Sequence, residues 1–203
     1  MMRSGMLKAV VLAVALAGAA STAIAAGGLP AVTPADHFLG RADAPVTVVE
    51  YASLTCPHCA VWHDTVLPEL KTRYIETGKV RFVYRTLPTP PADVAGAAAG
   101  VAQCAAPGKF FDTIDAFFAA QASIRIIGTG VYFQRGAAAS GRTNDELRAC
   151  MSDDATQAAL DAQIAGAQAA GVQGTPSFFV NGRRVEDSSI QGLAAAIDPL
   201  LRR

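Results

Sequence analysis

Residues 46–59 read Val46-Thr47-Val48-Val49-Glu50-Tyr51-Ala52-Ser53-Leu54-Thr55-Cys56-Pro57-His58-Cys59, and this stretch decides the fold. Val46 to Tyr51 is a β-branched run and reads as a strand. A short turn leads to two cysteines three positions apart. From there Trp62, Val66, Leu67, Leu70 and Tyr74 keep helical spacing, so a helix starts at the cysteines. Pro68 predicts a kink in it, because proline removes one intrahelical hydrogen bond. Gly78 stops the helix, and residues 79–87 (KVRFVYRTL) alternate basic or polar with apolar, which reads as a second strand.

Working outward, residues 91–170 change character. The stretch is rich in alanine, with helical patterns at 92–105, 109–121, 143–152 and 154–170, and Thr143 or Asn144 caps the third. Gly171 ends the series. Thr175 to Val180 reads as a strand, Asn181-Gly182 as a two-residue hairpin turn and Arg183 to Glu186 as the returning strand. Ser188 or Ser189 then caps a last amphipathic helix that reaches Leu200. Neither outer segment has enough strands to bury a core alone. The order therefore describes one α/β sheet, built from 45–90 and 172–203, interrupted by a helical block at 91–171.

The 203 residues include 17 Lys plus Arg and 17 Asp plus Glu, a formal charge of zero. Nucleic-acid binding needs clustered positive charge, and this balance argues against it. With 51% hydrophobic and 17% charged residues the chain can pack a core. Residues 1–25 read as an export signal. Arg3 and Lys8 open it, 9–20 is apolar, and Ala23-Ile24-Ala25 supplies the small-x-small cleavage pattern, with cleavage near Ala25 or Ala26. Twelve apolar residues fall short of the roughly 20 a membrane helix needs. The expectation is Sec-type export and release, with 26–44 as an extended lead-in. In an oxidising compartment Cys56, Cys59, Cys104 and Cys150 suggest disulfides, with three possible connectivities.

Cys56-Pro57-His58-Cys59 carries the chemistry. Two cysteines so spaced at a helix start can close a small disulfide ring. The first sulfur faces unsatisfied N–H groups and the positive end of the helix dipole, which favour thiolate. A stabilised thiolate favours the reduced form, so the disulfide oxidises other thiols. His58 adds to this when its imidazole donates toward the sulfur. Haem attachment needs histidine directly after the second cysteine, where Ala60 stands. Zinc on Cys56, Cys59, His58 and His63 asks one helix start to aim four ligands tetrahedrally, so no metal site is assigned. Gly128-Thr129-Gly130 lacks the length and lysine of a phosphate loop, and nothing implies a cofactor. Trp62 reads as packing behind the active-site turn, His63 as a solvated or partly covered helix residue, and His37 as having no nameable partner. Gly96 and Gly100 suggest close helix packing.

Glu50-Tyr51-Ala52-Ser53-Leu54-Thr55-Cys56-Pro57-His58-Cys59, the later Tyr74-Ile75-Glu76-Thr77-Gly78-Lys79-Val80-Arg81-Phe82 and Gly174-Thr175-Pro176-Ser177-Phe178-Phe179-Val180-Asn181-Gly182 together resemble the DsbA-like thioredoxin family. The resemblance runs from about residue 36 to the C-terminus. It implies a thioredoxin-like fold with an inserted all-helical subdomain. It implies Cys56 as the exposed nucleophile, Cys59 as the buried resolving cysteine, and Pro57 and His58 as tuning residues. Thr175-Pro176 matches the family's cis-proline loop, which pairs with substrate backbone; read alone, Pro176 is an ordinary trans proline opening a strand. Glu50 alone reads as a solvated strand glutamate. The resemblance instead places an acid beneath the resolving cysteine, where it assists proton transfer. Cys104 and Cys150, on helices of the inserted block, are expected to form a structural disulfide. The alternatives are two buried thiols or a second redox relay.

The function implied is a periplasmic thiol oxidase that passes the Cys56–Cys59 disulfide to reduced exported chains and is reoxidised by a membrane quinone-linked, DsbB-like thiol oxidase. A disulfide isomerase or reductase is the alternative, since Thr175 before the proline resembles the isomerase branches. A copper- or zinc-handling thiol protein is the third. Isomerases of this family dimerise through an N-terminal domain, and only 26–44 precede the first expected strand, so a monomer is expected.

Overall fold

The computed structural model describes Leu29 and residues 31–202; the expected export signal lies outside the described residues. Its elements run β1 (His37–Leu39), β2 (Val46–Ala52), α1 (Pro57–Thr65), α2 (Leu67–Leu70) with a π-helical turn over Lys71–Ile75, and β3 (Val80–Thr86). Six helices follow: α3 (Ala92–Gln103), α4 (Phe110–Ala120), α5 (Ser123–Ile127), α6 (Thr129–Ala139), α7 (Asn144–Met151) and α8 (Asp154–Ala169). The chain returns through β4 (Ser177–Val180) and β5 (Arg183–Val185) and ends in α9 (Ile190–Leu201).

The sheet order is β1-β3-β2-β4-β5. β2 runs parallel to β3, joined by the α1–α2 crossover, and antiparallel to β4. Period-two alternation along β2 sorts its side chains. Val46 and Val48 face Trp62, Leu67, Leu70 and the α9 residues Leu193 and Ile197, while Val49 and Tyr51 face Ala167 and Val172 on the other side. Glu50 has the parity of Val48 and Ala52, so it points to the α1 side and is 0% exposed. A central strand flanked on both sides leaves no edge for the solvated reading of Glu50.

Three features depart from the sequence expectations. The lead-in 26–44 contains β1, which pairs antiparallel with β3 through His37↔Tyr84; three residues are too few to show a period. Helices α5 and α6 fill the stretch between the second and third expected helices of the block, where glycine and β-branched residues dilute the helical pattern. Pro68 does not bend a continuous helix. α1 stops at Thr65, Val66 takes φ −108°, and Pro68 sits in the first turn of α2, where its missing N–H leaves no bond unmade.

The inserted helices bury a second core against the end of the sheet, with Ile114, Phe117 and Tyr132 packed on Leu54, Cys59 and Tyr84. Cys104 and Cys150 are joined by a disulfide that ties the end of α3 to α7. Gly100 lies against Met151, whereas Gly96 faces open space, so only Gly100 supports close packing. Thr143 is the α7 cap, in a capping box with Glu146, and Ser189 caps α9 through the Gly192 N–H.

Candidate active site

β2 ends at Ala52, and residues 53–55 turn the chain into α1 with Cys56 as its N-cap, at φ −81° and ψ 117°. The turn is held from two sides. Ser53 Oγ accepts from the Thr89 N–H at 3.1 Å, and Thr55 Oγ1 donates to the Thr89 carbonyl at 3.0 Å. From the helical block, Gln121 Nε2 donates to the carbonyls of Leu54 (2.9 Å) and Cys56 (3.1 Å), and Tyr132 Oη donates to Leu54 O at 3.0 Å. Neither Gln121 nor Tyr132 belongs to a local motif, so nothing in the sequence marked them.

Ser177 pairs with Tyr51, which brings the residues just before β4 past the end of β2 to the cysteines. The Thr175–Pro176 bond is cis, and Cys56 Sγ donates to the Thr175 carbonyl at 3.3 Å. This contact leaves Cys56 only 7% exposed, against the expectation of an exposed sulfur. Cys59 is 0% exposed, one helical turn further in, while Pro57 and His58 lie on the surface. Both cysteines are free thiols.

The two sulfurs differ electrostatically. The Cys56 thiol is lowered from 9.0 to about 5, first by the Cys59 S–H that its thiolate accepts, against the cost of burial. The Thr175 hydroxyl, buried and otherwise without a hydrogen-bond partner, adds to the lowering, as do the N–H groups of Cys59 and His58 at the helix start. Cys59 moves the other way. Burial raises it most, followed by its hydrogen bond to Cys56 and the charge of Glu50. One cysteine is thus held ready as a thiolate beside another held as a thiol.

Glu50 is not alone beneath them. His63, expected to be solvated or partly covered, is 8% exposed, and its Nε2 lies 2.9 Å from Glu50 Oε2. Phe118 (4.4 Å between ring centroids) and Trp62 (5.4 Å) enclose the ring. The spacing of His63 from Cys59 is one helical turn, so position put it on the inward face; its polarity hid the fact. Because His63 is committed to Glu50 and His58 faces outward, the four-ligand zinc arrangement does not assemble. Among the described residues no group of three or more His, Cys, Asp or Glu side chains could hold a metal ion. Trp62 packs 4.5 Å from Phe178 and donates to the Ser188 carbonyl at 2.8 Å, behind the turn. His37 stacks on Phe110 at 3.8 Å, which supplies the partner its sequence did not.

The thioredoxin family model matches residues 32–199. A Rickettsia bellii protein named "Putative protein-disulfide oxidoreductase" is 37% identical over 80% of this chain and 63% of its own length. The chain thus spans about three fifths of the curated relatives it first matches. Among solved structures, Wolbachia pipientis alpha-DsbA1 superposes with a TM-score of 0.71 at 27% identity, covering 83% of this chain and 92% of that one. Bacillus subtilis BdbD, at 21% identity and a TM-score of 0.76, covers 88% and 99% and shares the fold.

Proposed function

The chain belongs to the thioredoxin family, in the DsbA-like form with its helical insertion, and from that membership we propose that it is a thiol–disulfide oxidoreductase donating the Cys56–Cys59 disulfide to reduced exported proteins. One observation carries the reading: Cys56 caps α1 with its sulfur against the cis-proline loop and Cys59 buried one turn behind it. That arrangement stabilises a thiolate at Cys56 and therefore the reduced pair, which makes the oxidised pair a disulfide donor.

A substrate thiolate attacks Cys56, displaces Cys59 and forms a mixed disulfide. A second substrate thiolate then attacks the substrate sulfur of that bond and releases Cys56. Pro57 and His58 set the environment of the leaving sulfur, Glu50 exchanges the proton of Cys59, and Thr175-Pro176 lines substrate backbone beside the bond. Cys104–Cys150 braces the helical block. The setting is the periplasm, the protein acts as a monomer, and a membrane thiol oxidase of the DsbB kind restores the disulfide. No helix among the described residues is long and apolar enough to cross a membrane.

Thr175 favours the isomerase or reductase reading, since a hydroxyl before the cis proline is that branch's feature. The reduction potential of Cys56–Cys59 in glutathione buffers separates them, with the Cys104–Cys150 pair followed separately by alkylation. A value near about −120 mV marks a disulfide donor. One near about −270 mV marks a reductant and removes the oxidase reading.

A further inference from the structure

We propose that His63 connects the buried Glu50 carboxyl to solvent, carrying protons between Glu50 and an open cavity on the α1–α4 side of the molecule. The inference rests on the reading of Cys56–Cys59 as a redox pair with Glu50 exchanging the proton of Cys59, and it adds the route by which that proton enters and leaves.

The need for a route follows from burial. Cys59 and Glu50 are both 0% exposed, so neither meets bulk water directly. Glu50 Oε1 has no hydrogen-bond partner, whereas Oε2 is taken by His63 Nε2, and the charge of Glu50 is felt at the Cys59 thiol. The opposite ring nitrogen, Nδ1, is buried without a hydrogen-bond partner. It lies 4.0 Å from Asp115 Oδ1 on α4, a carboxylate with half its side chain in solvent. A gap of that length is one a single water bridges. His63 and Asp115 both line a cavity of about 490 Å³, together with Ala60, Asp64, Lys71 and Phe118. The imidazole thus has one nitrogen on the buried acid and the other, itself buried, nearest the half-exposed Asp115 carboxylate. Imidazole is the side chain that can take a proton on one nitrogen and release it from the other near neutral pH.

Charged and titratable groups surround the ring and its cavity: Glu50 from β2, Tyr84 from β3 and Asp115 from α4 face the ring, and Asp64 of α1 and Lys71 of the π-helical turn line the same cavity. Oxidation of a substrate dithiol delivers two electrons to the Cys56–Cys59 bond and frees two protons. Cys56 stays a thiolate, so one proton goes to solvent and one must end on Cys59. Nε2–H of His63 passes a proton to the Glu50 carboxylate, Glu50 hands it on to Cys59, and Nδ1 takes the replacement from the cavity. When a partner disulfide reoxidises the pair, Cys59 attacks the mixed disulfide at Cys56, and its proton leaves by the reverse path. His63 is a positioning residue that acts on the sulfur only through Glu50.

The test follows the reaction with a reduced substrate peptide by stopped flow, using the fluorescence of Trp62, the chain's single tryptophan and a neighbour of the His63 ring. In His63→Gln the steps that protonate or deprotonate Cys59 slow about 10-fold or more between pH 6 and 8 and lose their pH dependence, a modest share of the general acid–base range. Alkylation of Cys56 keeps its wild-type pH profile. Imidazole in the buffer restores the rate of His63→Ala. A folded His63→Gln with wild-type rates and pH profile overturns the proposal, as does slowing that imidazole leaves uncorrected. Should both variants fail to fold, nitrogen-15 spectroscopy of wild-type His63 decides it. Ring N–H exchange with water faster than turnover supports the route, and protection longer than turnover overturns it. Wild-type protein without exchange activity would sink the oxidoreductase reading itself, a result distinct from any of these.

Discussion

Tyr132, on a helix of the insertion, donates its phenolic hydrogen to the carbonyl of Leu54, two residues before Cys56. Gln121 donates to the same carbonyl and to that of Cys56. The helical block therefore reaches into the sheet domain and fixes the backbone that carries the reactive sulfur. Burial pushes the Tyr132 hydroxyl up, which keeps it a hydrogen-bond donor across the physiological range. The N-cap position of Cys56 depends on this turn, so the insertion helps set the chemistry as well as covering it.

Tyr132→Phe removes one of the two donors to a buried carbonyl while keeping the ring. An under-satisfied buried acceptor costs about 1–2 kcal/mol. The urea midpoint should fall accordingly with an unchanged slope, and the melting temperature by about 2–4 °C for each kcal/mol lost. Tyr132→Phe combined with Gln121→Ala should lose more than Tyr132→Phe alone. A Tyr132→Phe protein as stable as wild type would show that Gln121 suffices to hold the turn.

The Cys56 thiol, at about 5 in the folded reduced protein against an ordinary 9.0, gives a pH dependence with a definite sign. Its folded value lies below its unfolded one, so the stabilisation of the reduced form is complete above about pH 9. It shrinks as pH falls between 9 and 5 and is gone below about 5. Reduced protein should therefore melt above oxidised protein at pH 8, with the gap closing toward pH 4. Iodoacetamide should modify Cys56 with a midpoint near 5 while Cys59, raised by burial, stays unreactive. A midpoint near that of an ordinary thiol would remove the thiolate reading.

The sheet was legible because its strands announce themselves locally. The β-branched run at Val46, the alternation after Lys79 and the Asn181-Gly182 turn each carry their own signal. The cysteine pair was legible for the same reason, through its spacing at a strand-to-helix junction. What escaped the sequence depends on partners far along the chain. Arg85 reads as one more alternating strand residue, yet its Nε meets Asp36 at 2.8 Å and its guanidinium reaches Tyr51 Oη, on the sheet face opposite Glu50. That ion pair lowers the Asp36 carboxyl despite its burial and docks the segment before β1. His63 was hidden in the same way: its burial follows from α4 lying over α1, with Phe118 against the His63 ring, a long-range contact that no local pattern encodes.

Removing the Cys104–Cys150 bridge should separate stability from chemistry. The bond spans 46 positions and joins helices of the block. In the chain-entropy model a closed loop of that length contributes roughly 4 kcal/mol, and engineered removals often cost less. Cys104→Ser/Cys150→Ser should unfold at lower urea yet keep wild-type exchange rates at 25 °C, where it remains folded. Lost exchange in the folded double variant would make the second pair part of the redox route.

Gly136→Ala tests whether packing inside the block is felt at the active-site turn. Gly136 is on α6, and a Cβ there would run into the ring of Phe117 on α4. Phe117 is 0% exposed and cannot swing into solvent, so the strain must be taken up by α4, α6 or both. Overpacking of this kind costs about 1–3 kcal/mol. The Phe117 ring also lies 4.7 Å from that of Tyr132, whose hydroxyl holds Leu54. A shift that accommodates the methyl therefore loosens the same hydrogen bond that Tyr132→Phe deletes. The two substitutions should be less than additive in a double-mutant cycle, because the second finds the bond already weakened. Strict additivity would mean that the block absorbs the strain before it reaches Leu54, and that the grip on the turn rests on Gln121.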